Sequence, residues 1–129
     1  DWTRHEDPQV KYYSGSATYG LTFSYNGKKQ EGLYLDLGQV EGMAAVRLNG
    51  KEFPVLWRYP YQVAIEEALQ PGENRLEIDV TNCWWNRLVG DAQPGARPHT
   101  LSAYTGRDAY SELLPSGLLG PVTILSTIP

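Results

Sequence analysis

The chain has 129 residues, with 11 Lys and Arg against 15 Asp and Glu and a formal net charge of −4. That length suits one domain with a proper core. The mild acidity leaves no electrostatic footprint for nucleic acid or an anionic membrane surface, and a single cysteine excludes both a disulfide framework and a Cys-rich zinc site.

Near the N-terminus, Trp2, Tyr12 and Tyr13 read as rings covering a sheet edge, with Tyr13 leading into the first strand. From there period-2 alternation dominates. Tyr19, Leu21, Phe23 and Tyr25 alternate with Gly20, Thr22 and Ser24, and Asn26-Gly27 supplies a turn. Leu33, Leu35 and Leu37 form a second block. Ala44, Val46 and Leu48 form a third, closed by the turn dipeptide Asn49-Gly50. Tyr61, Val63 and Ile65 follow, and then one short helical turn over Glu66 to Leu69 before Pro71-Gly72. Leu76, Ile78 and Val80 make the next block, and Val122 and Ile124 the last. Each block predicts a strand with one face on a core and one toward polar surroundings, with Glu77 and Asp79 on such a solvated face. No long stretch has helical periodicity. The expected fold is all-β, an antiparallel β-sandwich of the jelly-roll kind.

From Asn82 to Pro121 the alternation lapses, although the stretch holds Trp84, Trp85, Tyr104 and Tyr110. Such a long irregular segment in a small domain is either functional or disordered, and its ring and Leu content argues for order. The composition adds a reason to look there. Nine Tyr and four Trp against two Phe give nearly every ring a polar handle, suited to surfaces half apolar and half wet.

Enzymatic patterns are missing at the level of spacing. The chain has no Gly-rich phosphate loop, no His-Glu-x-x-His and no Gly-x-Ser-x-Gly elbow. His5 and His99 lie far apart and read as surface residues, and Cys83 reads as a small packed residue. No Asp or Glu pair stands out for glycoside hydrolysis. A structural calcium ion is conceivable only through Asp36, Asp91, Asp108 and backbone carbonyls.

Val46-Arg47-Leu48-Asn49-Gly50, Pro60-Tyr61, Pro71-Gly72-Glu73-Asn74 and the strand closing on Asn82 together resemble the sugar-binding domain of glycoside hydrolase family 2, a galactose-binding-like jelly roll. Further segments make the terminal domain of family 106 α-L-rhamnosidase-like proteins a closer resemblance: Tyr12 to Tyr19, Leu35-Asp36-Leu37-Gly38, Trp57 to Tyr61, Trp85 to Asp91, and Ser116 to Val122. The resemblance runs from about Lys11 to Leu125 and rests on order and spacing, since each motif alone is common. It implies a non-catalytic carbohydrate-binding module occupying 1–129, cut from a larger exported bacterial enzyme. The parent's catalytic domain and a plant polysaccharide or oligosaccharide would be its partners, and the module would be secreted or periplasmic.

Sugar recognition in water pairs aromatic stacking with planar polar groups that read hydroxyls. Trp84, Trp85, Asn86, Arg87 and Asp91 supply both. In an extended segment adjacent side chains point to opposite sides, so one of Trp84 and Trp85 faces solvent while the other anchors the loop. Arg87 and Asp91 equally suit an internal ion pair. Trp57 and Tyr59, in the bend before Pro60, form a second cluster, whereas Tyr61 continues a core face. Tyr104 and Tyr110 rank third, because a loop is also packed by its own rings.

Overall fold

A computed structural model describes residues 1–28, 30–102 and 108–127. The order is a 3-10 turn at Trp2–Arg4, α1 (Pro8–Lys11), β1 (Ser16–Tyr25), β2 (Leu33–Asp36), β3 (Gln39–Glu41), β4 (Met43–Leu48), β5 (Lys51–Glu52), β6 (Gln62–Ala64), β7 (Gly72–Thr81), α2 (Trp85–Asp91), β8 (Gly117–Gly120) and β9 (Thr123–Ser126). All strand pairings are antiparallel. One sheet runs β1-β7-β4-β5. The other side is built from β6-β2-β9 and the pair β3-β8.

The core is where the alternating faces meet. Leu33, Leu35, Leu37, Val63 and Ile65 from one side pack with Ala44, Val46, Leu48, Leu76, Ile78 and Val80 from the other, all buried. Burial of this apolar surface stabilises the sandwich at roughly 25 cal/mol per Å2. The all-β expectation is therefore met, and each block of alternation contains a strand. At Asn49-Gly50 both residues take positive φ, 52° and 82°, the geometry of a tight hairpin turn. The turn after β6 also forms, with the Ala68 and Leu69 N–H groups both donating to the Ile65 carbonyl.

Four expectations need correction. The irregular stretch contains a helix, α2, and a strand, β8. Cys83 is exposed rather than packed, because the chain leaves the core beyond Thr81. Leu21 shares the face of Tyr19 and Phe23 but stays largely exposed, on a strand at the edge of its sheet. Glu77 and Asp79 are not simply solvated. Register places Arg47 beside Glu77 and Thr18 beside Asp79, and Arg47 Nη1 reaches Asp79 Oδ2 at 2.7 Å while the Thr18 hydroxyl donates to Asp79 Oδ1 at 2.6 Å. Arg47 Nε also lies 3.6 Å from Glu77, which Arg75 approaches at 3.2 Å.

These contacts hold the Asp79 carboxyl below the usual carboxylate range. The hydrogen bond from Arg47 contributes most, then that from Thr18, and together with the Arg47 charge they outweigh burial. A carboxyl depressed on folding stabilises the fold above its unfolded pKa and loses that contribution as pH falls through the folded value. Denaturant titrations should thus show constant stability near neutrality and a decline below about pH 4. Asp79→Asn should lower neutral stability and flatten part of that acid decline; an unchanged slope would remove Asp79 as a cause.

Candidate functional site

The end of the sheet at Ser16, Thr81 and Met43 is where both aromatic clusters emerge. Ser16 pairs with Thr81, and Thr81 with Met43. On the side of β4 away from β7, Leu56 exchanges two backbone hydrogen bonds with Ala44, both 2.8 Å. Trp57 follows Leu56 directly, so it leaves from the same end as the Thr81–Trp84 connection. The two chain paths lie two strand spacings apart, roughly 10 Å.

The loop cluster is held by polar groups rather than by apolar packing. Asn82 accepts from the Gly15 N–H at 2.8 Å and donates to the Tyr13 carbonyl and the Ser116 hydroxyl, at 2.8 and 3.1 Å. Asn86, on α2, donates to the Leu114 carbonyl and to the same Ser116 hydroxyl, and accepts from the Leu114 N–H. Ser116 and Asn86 are 2% and 1% exposed. Asn86, Val89 and Gly90 are the buried positions of α2, one stripe at helical spacing. Gly90 lies so near Tyr12 that an added Cβ would sit 2.5 Å from the Tyr12 Cβ, which fixes how α2 lies on the N-terminal segment.

With the helix so fixed, the side chains named from the sequence divide. Trp84 is 61% exposed. Trp85 is half-buried and donates its indole N–H to the Glu112 carbonyl at 2.7 Å. One ring faces out and the other anchors, as expected, but helical rather than extended backbone separates them. Asn86 is buried and its amide is occupied, so it offers nothing to a ligand. Arg87 Nε is bonded to Asp91 Oδ1 at 2.9 Å, one turn on, so the ion pair exists. Asp91 Oδ2 accepts from the His99 N–H, the Thr100 N–H and the Thr100 hydroxyl, at 3.0, 2.9 and 2.6 Å. Burial opposes ionisation of Asp91, but these donors and Arg87 outweigh it and lower its pKa. Asp91 therefore ties the segment around His99 to α2, with both oxygens engaged by protein donors.

In the second cluster Trp57 and Tyr59 are 66% and 83% exposed, and the Arg58 guanidinium lies 5.3 Å from the Trp57 ring centroid. Residues Val55 to Pro60 line a shallow cleft of about 240 Å3. Tyr61 packs on the core and donates to the Gly42 carbonyl. Tyr104 lies outside the described residues, while Tyr110 is exposed. Sequence reasoning missed a surface beside Trp84, a cleft of about 400 Å3 bounded by Trp84, Leu88 and His99 to Ser102. Trp84 and Leu88, four apart on a helix, were its only signal. For calcium the residues do not fit. Asp36 accepts from the Gly38 N–H and from Gln62, Asp108 from the Tyr110 N–H, and among the described residues no three His, Cys, Asp or Glu come together.

No protein-family model matches the chain. A solved rhamnosidase from Novosphingobium sp. PP1Y is 46% identical with a TM-score of 0.90, over 95% of this chain and 12% of that one. A Formosa agariphila protein, named as a provisional beta-glucuronidase, is 37% identical over 151 aligned positions, covering 95% of this chain and 13% of its own length. The beta-glucuronidase of Ruminococcus gnavus, 20% identical with a TM-score of 0.55 over 63% of this chain and 14% of that one, shares the fold. The chain thus spans about an eighth of the first two relatives and is similar to one small domain of much larger glycoside hydrolases.

Asn86→Ala should destabilise the fold by about 2–4 kcal/mol, since it removes three hydrogen bonds made by a buried amide and leaves a void in its place. Trp84→Ala should leave the melting temperature nearly unchanged. Paired thermal melts check both, and similar losses would contradict this division of roles.

Proposed function

We propose that the chain is a non-catalytic accessory domain of a glycoside hydrolase that holds glycan on its exposed rings. The observation that carries this reading is the exposure of Trp84, Trp57 and Tyr59 at one end of the sandwich, on backbone fixed by buried hydrogen bonds. Exposed indoles cost hydration that a sugar's apolar face recovers by stacking. Binding would be reversible. A tethered module raises the effective substrate concentration for its enzyme, so weak single-site affinity suffices.

The similarity to a rhamnosidase supports plant cell-wall glycan as the target, with pectic rhamnogalacturonan first and xylan-type hemicellulose second. The parent's catalytic domain is the second partner, and a polysaccharide target implies a secreted or periplasmic enzyme. One observation favours a purely structural domain that packs on the catalytic domain and has no ligand of its own: the partly exposed aliphatic residues Leu119, Val122 and Leu125 around β8 and β9.

Affinity electrophoresis against a panel of plant polysaccharides separates the two. Glycan binding predicts retardation by at least one polymer, weakened about tenfold or more by Trp84→Ala or Trp57→Ala with melting temperatures unchanged. No retardation by any polymer leaves the structural role standing. Retardation that survives both substitutions places the site elsewhere.

A further inference from the structure

A second groove, about 420 Å3, lies on the other side of His99 from the Trp84 cleft, between α1, α2 and residues 93–99. Its volume falls in the range of small-molecule sites. Tyr12 and Pro8 form its apolar wall, and Gln9, Arg87, Arg97 and His99 its polar one. No Asp or Glu lines it, in a chain whose acidic residues outnumber its basic ones.

Asp91, the carboxylate bonded to Arg87, has both oxygens committed to protein donors. Only Nε of Arg87 is used by Asp91; its two Nη atoms make no hydrogen bond among the described residues, and Nη2 lies at the Gly90 edge of the groove. Arg97 is exposed and has no ion pair among the described residues. Lys11 Nζ, 5.6 Å from the Tyr12 ring centroid, adds a cation beside the apolar wall.

Guanidinium forks match carboxylates in plane and spacing, an apolar ring suits a sugar face, and a side-chain amide reads hydroxyls. We infer that this groove binds the carboxylate of a uronic acid unit, so that the domain's glycan is acidic. The inference rests on the glycan-binding reading above and names the class of sugar. Arg97 and Arg87 would bind the carboxylate, Tyr12 would carry the ring, and Trp84 would stack a neighbouring unit across His99.

Calorimetry of the chain with polygalacturonate, its fully methyl-esterified form and dextran sulfate tests this. Polygalacturonate should bind about tenfold more tightly than the ester, the effect of losing a charged hydrogen-bond acceptor, and more tightly than dextran sulfate. Arg97→Gln, at an exposed position, should erase that preference without lowering the melting temperature. Arg87→Lys, which keeps an ion pair with Asp91, should reduce it. Equal affinity for acid and ester, or a preference that survives both substitutions, overturns the inference. Dextran sulfate binding as tightly as polygalacturonate also overturns it, since charge alone would then suffice. Binding of neutral plant glycan without acid preference overturns the uronate assignment and leaves glycan binding intact. Failure to bind any glycan removes both.

Discussion

The hydroxyl of Ser116 joins two stretches of chain that are far apart in sequence, 82–86 and 114–116. It accepts from the side-chain amides of both Asn82 and Asn86 and donates to the Leu114 carbonyl, using both lone pairs and its one proton. Its backbone takes part as well: the Ser116 N–H donates to the Asp1 carboxylate and its carbonyl accepts from the Trp2 N–H. Inside a protein, a network with every member satisfied rigidifies its surroundings, whereas one missing partner exposes the rest to an uncompensated desolvation cost. The orientation of α2, the path of the N-terminal segment and the entry to β8 all depend on it.

That dependence explains how a small sandwich displays rings without losing its core. The aliphatic core is closed by β2, β4, β6 and β7. Several aromatic residues pack against its margin, and the rings also take two other tasks. Trp2 bonds to the Tyr19 hydroxyl at 2.6 Å and meets Tyr13 edge-on, and Trp85 pins the segment near Glu112. Trp84 projects from backbone that these anchors and the Ser116 network hold still, and Trp57 and Tyr59 follow the pairing of Leu56 with Ala44. A binding site gains from such support because little ordering remains to be done when the ligand arrives.

How far the sequence disclosed this follows from what each element is made of. Strands whose inner face is Val, Ile and Leu at every second position announce themselves, as β7 does with Leu76, Ile78 and Val80. The short strands β3, β5 and β8 offer two to four residues each, too few for a period to emerge. The helix α2 is hidden for a different reason: its buried stripe is Asn86, Val89 and Gly90, which carries no hydrophobic period. Burial of Asn86 is made tolerable by Leu114 and Ser116, about thirty positions away and invisible to any local pattern. The Arg87–Asp91 pair was legible from its spacing. The groove opposite it was not, since Tyr12, Arg87 and Arg97 meet only in the fold.

The central claim is that this end of the sandwich meets the ligand, and the four indoles provide a built-in report. Trp2 and Trp85 have their N–H groups bonded within the protein, to the Tyr19 hydroxyl and the Glu112 carbonyl, whereas Trp84 and Trp57 are largely exposed. The most direct measurement is the set of indole N–H resonances of the 15N-labelled chain, followed during titration with pectic oligosaccharides. The account predicts saturable shifts at Trp84 and Trp57 with Trp2 and Trp85 nearly still. Saturable shifts that leave Trp84 and Trp57 unmoved and map to another face would contradict it.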